Sequence, residues 1–229
     1  MATKKARYPV LGTLCLKNKR VLITAGPTWV PIDNVRVISN IATGQTGILL
    51  AEKLQSLGAK VTLLMGPMGV CCLNNKIRLV PFKFFDELKD IIAGELKHNK
   101  YDIVIHSAAV ADYKPAKFYS YKVNFGIKNW TLKLIPTEKI IDLIKKIDCS
   151  LFLVGFKFEP VARKKILIDK ARGLINRAKL DLVVANTIDK SKYRAYIIDN
   201  CKQIYGPMFN KRRLADKLID LIAGNLWKD

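Results

Sequence analysis

The chain is short of acid, of paired cysteines and of long apolar runs, and each shortage narrows what it can be. Nineteen Asp and Glu stand against 40 Lys and Arg in 229 residues, a formal charge of +21. The five cysteines, Cys15, Cys71, Cys72, Cys149 and Cys201, are odd in number and contain no Cys-x-x-Cys pair. A reduced, cytoplasmic protein is the simplest reading. No stretch approaches the roughly 18 apolar residues of a membrane span, so no membrane partner is expected. The basic segment over residues 1–18 lacks the apolar centre of a signal peptide and reads as a solvated tail. At 50% hydrophobic content, residues 19–229 suit one α/β domain. The positive charge would suit nucleic acid, an anionic surface or a polyphosphate. Lysine is spread along nearly every predicted helix, and no zinc spacing, aromatic RNP run or basic arm accompanies it. No nucleic-acid partner is expected.

What is present is an alternation of short apolar runs with helical stripes. Val21 to Ala25 reads as a strand buried on both faces and closed by Gly26-Pro27. After Thr43-Gly44, Ile48, Leu49, Ala51, Leu54 and Leu57 recur at helical spacing until Gly58. Strands follow at Lys60 to Met65, Ile77 to Pro81 and Asp102 to Ser107, with a turn at Gly66-Pro67-Met68-Gly69 and a helix over Phe84 to His98. Tyr121 to Leu134 alternates with period two and predicts a hairpin-like excursion. Thr137 is placed to cap a helix carrying Ile140, Ile141, Ile144 and Ile147. Strand Leu151 to Phe156, helix Val161 to Lys179, strands Leu182 to Ala185, Ala195 to Ile198 and Gln203 to Tyr205, and helix Asn210 to Leu226 complete the chain. This order predicts a Rossmann-like, mostly parallel sheet with helices on both faces and ligands at the carboxyl ends of its strands.

A Rossmann-type NAD(P)-dependent reductase is the alternative the alternation raises. Its fingerprint needs Gly-x-Gly-x-x-Gly directly after the first strand and an acidic residue ending the second. Here Gly26 and Gly44 are separated by a long insert, and the second strand ends in Met65-Gly66. No Gly-Lys-Ser/Thr P-loop occurs either. The insert instead sets Asp33, Arg36, Ser39 and Asn40 beside a cradle of Thr43, Gly44 and Gly47 at a helix start, where open N–H groups favour an anion. Arg36 either clamps a phosphate or carboxylate or pairs with Asp33; Asn40 either donates to an acyl oxygen or caps the helix. After the strand at His106, the small residues Ala108 and Ala109 admit a ligand to the backbone, and Asp112 suits ribose hydroxyls or a metal-bound phosphate. His106, without an assigned partner, reads as a packed residue. Lys122 could reach across phosphates as a point charge, and Phe156 could pack on a base.

Taken in order, Ile23-Thr-Ala-Gly-Pro-Thr28, Pro31-Ile-Asp33, Val35-Arg36, Ile38-Ser-Asn40, Thr43-Gly44, Gly47, Ala108-Ala-Val-Ala-Asp-Tyr113, Val154-Gly-Phe156 and Val184-Ala-Asn186 resemble the phosphopantothenoylcysteine synthetases, over roughly Lys19 to Asn200. The resemblance implies a ligase of coenzyme A synthesis. Its substrates would be 4′-phosphopantothenate, L-cysteine and a nucleoside triphosphate, CTP in most bacteria and ATP in eukaryotes, with CTP favoured here. Mg²⁺ would be the cofactor, an acyl-nucleotide the intermediate and a homodimer the assembly, its excursion reaching into the partner. Mapped by motif, Asn40 would hold the acyl-nucleotide and Arg36 would orient phosphopantothenate. Thr43, Gly44, Ala108, Ala109, Asp112 and Phe156 would line the nucleotide site. Lys122 would bind the triphosphate. Metal ligands are not assigned. The chain is similar to the free-standing form, without the flavin-dependent decarboxylase domain that precedes many bacterial members. It departs from the family pattern at Trp29-Val30 (usually Arg-Glu), Ala42-Thr43-Gly44-Gln45 (Ser-Ser-Gly-Lys), Tyr121-Lys122-Val123-Asn124 (one lysine kept) and Thr187 (Asp). These changes bear on phosphate affinity and nucleotide choice more than on reaction class.

Overall fold

The computed structural model describes residues 16–68 and 73–226. The expected tail, the end of the turn at Gly69, and Cys15, Cys71 and Cys72 lie outside the described residues, save for 16–18 of the tail. Leu16 is buried, and its N–H donates to the Leu57 carbonyl at 3.0 Å. Cys149 and Cys201 are free and exposed.

In chain order the elements are β1 (Arg20–Ala25), β2 (Trp29–Pro31), β3 (Val37–Ser39), α1 (Gln45–Ser56), β4 (Lys60–Met65), β5 (Arg78–Pro81), α2 (Phe85–His98), β6 (Ile103–His106), β7 (Tyr113–Pro115), β8 (Leu134–Pro136), α3 (Ile140–Ile147), β9 (Phe152–Phe158), α4 (Lys164–Ala178), β10 (Leu182–Asp189), β11 (Lys192–Asp199), β12 (Ile204–Met208) and α5 (Lys211–Leu226). Eight strands form one sheet in the order β12-β11-β10-β9-β6-β1-β4-β5. β5 through β10 in that row pair in parallel, whereas β11 and β12 join antiparallel. The apolar runs explain the centre, since a strand covered on both faces needs no polar alternation. Val21, Ile23, Leu63, Ile105 and Val184 pack under α1 and α5, and Leu22, Leu64, Val104, Leu153 and Val183 pack under α2, α3 and α4. Each such side chain contributes about 1.5–3 kcal/mol by leaving water.

Several local expectations are corrected. The excursion has no strand between Tyr121 and Lys133; its ladder is at its base, where Tyr113–Pro115 pairs antiparallel with Leu134–Pro136. Thr137 caps nothing, because its hydroxyl donates to the buried Ala111 carbonyl at 2.6 Å and α3 starts only at Ile140. α4 starts at Lys164 rather than Val161, whose φ of 54° is incompatible with a right-handed helix. β10 runs to Asp189, four residues past Ala185. Lys190 and Ser191 at φ 43° and 65° turn it directly into β11, as a two-residue hairpin requires. The β2–β3 ladder inside the insert was not expected at all.

Candidate functional site

Going outward from β1, the chain order runs to β4 and β5 on one side and to β6, β9 and β10 on the other. This reversal leaves a crevice at the carboxyl ends of β1 and β6, where such sheets bind ligands. A cavity of about 1160 Å³ occupies it. Its wall takes in Gly26, Ser39 to Gly47, His106 to Asp112, Thr137 to Ile141, Phe156 to Phe158 and Asn186, with Lys170, Gly173, Leu174 and Arg177 from α4.

Hydroxyls and amides zip the loops after β1 and β6 together. Ser107 Oγ donates to the Thr24 carbonyl at 2.6 Å, and the N–H groups of Ala108 and Ala111 donate to Thr24 Oγ1 (3.2 Å) and Thr28 Oγ1 (2.9 Å). Ala109 N–H reaches the Gly26 carbonyl at 2.9 Å. Asn40 pins the insert to the same loop, its Nδ2 donating to the carbonyls of Ala109 (3.1 Å) and Val110 (3.0 Å). Neither expected role of Asn40 describes that bond: it caps no helix, and the exposed residue belongs to the cavity wall. Buried His106 lies 2.9 Å through Nδ1 from Thr24 Oγ1. Burial pushes its pKa down to about 4, so the ring is neutral near pH 7.

α1 begins at an open end. Gly44 takes a left-handed φ of 60°, no side chain caps the helix, and no acidic residue occupies its first turn. The N–H groups there can accept an anion. Gly47, expected in the cradle, is on the cavity wall with Thr43 and Gly44 and also serves packing: a Cβ on it would strike Ala25 Cβ and come within 3.0 Å of Ser107 Oγ. The bare glycine seats α1 against β1 and β6.

Cations ring the cavity. Lys139 pairs with Asp112. Lys157 and Lys170 flank Glu159 at 2.9 and 2.6 Å and hold its carboxyl below the usual range against the opposing effect of burial. Arg177 Nε lies 3.4 Å from Asp142, and Lys211 donates to Gln45 Oε1 at 2.8 Å. On the wall of this cavity Asn186 Oδ1 is buried without a hydrogen-bond partner among the described residues. An acceptor left bare costs about 1–3 kcal/mol, which a donor on a ligand would offset.

Asn40, Thr43, Gly44, Ala108, Ala109, Asp112 and Phe156 thus share one cavity. Arg36 and Lys122 do not line it. The Arg36 guanidinium is held away by Asp33 (2.6 Å), the Val123 carbonyl (3.1 Å) and the Trp130 ring, whose centroid is 5.2 Å away. Burial alone would raise the Asp33 carboxyl, yet the N–H groups of Val35, Arg36 and Val123 and the guanidinium outweigh it and hold it below the ordinary range. Lys122 is exposed on the excursion. Sequence reasoning gave no role to Lys139, Asn186 or Lys211. Asn186 sat inside a quoted motif, but Lys139 and Lys211 carry no signal among so many lysines.

The profile of the DNA/pantothenate metabolism flavoprotein C-terminal domain matches residues 16–226. Over 213 residues the chain is 38% identical to the coenzyme A biosynthesis bifunctional protein CoaBC of Thermococcus kodakarensis, covering 90% of this chain and 51% of that protein. The chain spans about half the length of the curated relatives it matches. The solved DNA/pantothenate metabolism flavoprotein from Streptococcus pneumoniae superposes with a TM-score of 0.80 at 25% identity, covering 90% of this chain and 99% of that one. A Cab2 variant in complex with phosphopantothenate-cysteine shares the fold, with a TM-score of 0.70 at 18% identity and 93% and 90% coverage.

Proposed function

Because the chain belongs to the DNA/pantothenate metabolism flavoprotein C-terminal domain family, we propose that it joins 4′-phosphopantothenate to L-cysteine through an acyl-nucleotide, using CTP in preference to ATP. The observation that carries this reading is the gathering of Asn40, the open start of α1 and a ring of cations around one cavity at the strand reversal. A carboxylate oxygen of phosphopantothenate attacks the α-phosphorus, and pyrophosphate leaves. The cysteine amine then attacks the acyl carbon, CMP leaves with its bonding electrons, and the amine loses a proton. Both steps build negative charge, which fixed N–H donors and ammonium groups stabilise without reorganising.

Asn40 spends both N–H groups on the Ala109 and Val110 carbonyls, so it would hold the acyl-nucleotide by fixing that loop and through Oδ1 as an acceptor. Ala108 and Ala109 leave room for it, and Thr43 and Gly44 face its phosphates. Phe156 offers a ring to the base, and bare Asn186 Oδ1 suits an exocyclic amine such as cytosine or adenine carries. Among the described residues no group of three or more His, Cys, Asp or Glu could hold a metal. A Mg²⁺ would be held mainly by phosphate oxygens, to which the protein adds one or two carboxylates. Asp112 and Glu138 are the carboxylates on the wall. The ion would neutralise charge on the leaving pyrophosphate.

Arg36 and Lys122 lie off this cavity, and the excursion carries exposed Phe118, Tyr121, Phe125 and Ile127. A homodimer in which the excursion reaches the second copy's cavity would cover that apolar surface and bring Lys122 to the phosphates. Among the described residues no helix is long and apolar enough to cross a membrane.

The test is direct. The protein with Mg²⁺, phosphopantothenate, cysteine and either nucleotide should release pyrophosphate, faster with CTP; silence with both would sink the reading. Asn40→Ala should still bind CTP but turn over roughly 10²-fold more slowly, the scale of loss when a positioning contact slips. Unchanged turnover would remove Asn40 from the site.

A further inference from the structure

Of the five cations on the cavity wall, four face a carboxylate and one does not. Lys139 meets Asp112, Lys157 and Lys170 meet Glu159, and Arg177 meets Asp142. Among the described residues Lys211 meets only the neutral amide oxygen of Gln45. Burial draws its ammonium below the usual lysine range, so it loses water without gaining an anion. Its position compounds the imbalance. Lys211 is the first residue of α5, whose start is capped by Asn210 Oδ1 accepting the Arg213 N–H at 2.8 Å and has no acidic residue in its first turn. A cation there adds to the positive end of the helix dipole, where an anion is favoured. Gln45, its partner, is the first residue of α1, whose start no side chain caps. The Lys211–Gln45 bond therefore ties two positive helix ends and one unneutralised ammonium to a single corner. That corner is the wall between the main cavity and a second one of about 570 Å³ that also takes in Arg212 and Arg213.

We propose that Lys211 is a phosphate-binding residue of this site: when nucleotide enters, its ammonium exchanges the Gln45 amide for the phosphate chain lying at the start of α1. This assignment rests on the nucleotide-dependent ligation proposed above. Gln45 is the resting partner that keeps the side chain aimed inward while no phosphate is present. A neutral amide does this without competing for the charge, as a carboxylate would.

Two probes test it on the full chain, CTP and inorganic pyrophosphate, the latter because it has the phosphate chain without the base. By calorimetry, Lys211→Gln should weaken both by about tenfold or more, the usual worth of a charge-assisted bond, and Lys211→Arg should recover most of the loss. In turnover the KM for CTP should rise by a similar factor, while the KM values for phosphopantothenate and cysteine hold. A purely structural lysine would not split the substrates that way. Wild-type affinity of Lys211→Gln for both probes overturns the assignment. If that variant does not fold, Gln45→Glu replaces it: a carboxylate beside Lys211 should weaken both probes as well, and unchanged binding overturns the assignment equally. Wild-type protein that binds pyrophosphate through Lys211 but turns over no nucleotide would overturn the ligase reading and leave the phosphate contact standing.

Discussion

At the scale of single residues, the β1 and β6 loops depend on Thr24 and its neighbour His106. Thr24 Oγ1 accepts from Ala108 N–H and lies 2.9 Å from His106 Nδ1, so one hydroxyl joins both loops. The ring is neutral and buried, with its pKa about 4 against 6.5 when unfolded. The unfolded chain therefore binds the extra proton first as pH falls. The stability linked to this depressed pKa is fully present above about pH 6.5 and is lost progressively down to pH 4. Between pH 7 and pH 5 the loss from this residue is on the order of 2 kcal/mol. Urea melts of the wild type and of His106→Gln at the two pH values should differ in their pH slopes by that amount; parallel slopes would refute a buried neutral ring. None of this was legible in the sequence beyond the reading of His106 as a packed residue. Thr24 and His106 lie 82 residues apart, and Asn40 lies 69 and 70 from the carbonyls it holds. Side-chain bonds at such separations leave no spacing to read.

At the scale of elements, the strength of a periodic signal decides what could be read. β1, β4 and α5 bury long, unmixed apolar runs or stripes, and their extents follow from the residues. The three-residue β2, β3, β7 and β8 have too few residues for a period, and their pairing depends on where the loops are pinned. Gly47 shows why role is harder than position: it reads as part of a phosphate cradle, and beside its place on the cavity wall it lets α1 approach β1. Alanine normally stabilises a helix interior by about 0.5–1 kcal/mol over glycine. At Gly47 the new methyl meets Ala25 Cβ and Ser107 Oγ, and overpacking costs about 1–3 kcal/mol. Crowding wins, so Gly47→Ala should be destabilising by roughly 1 kcal/mol in urea melts and should displace the start of α1, raising the KM for nucleotide. Gly94→Ala in α2 has nothing within 4 Å of the new Cβ and should be stabilised instead. The same sign for both variants would contradict the packing argument.

For the whole molecule, the question is which chain completes the cavity. Lys122 belongs to the excursion, and in its own chain it does not line the cavity. The same excursion exposes Phe125 and Ile127, with Phe125 wholly uncovered at 105% of its reference area. An apolar patch of this kind marks an interface, and a two-fold dimer would place each excursion against the other copy. Sedimentation should then give twice the 25.9 kDa chain mass, and Phe125→Ser with Ile127→Ser should halve it. Activity can locate Lys122 more sharply than mass. Lys122→Ala and Asn40→Ala should each be nearly inactive alone. If Lys122 acts across the interface, a heterodimer of the two variants carries both defects in one cavity and neither in the other. After unfolding and refolding an equal mixture, half the dimers are mixed and each has one intact site, so about a quarter of wild-type pyrophosphate release should return. If each cavity drew Lys122 from its own chain, every site would keep one defect and mixing would restore nothing.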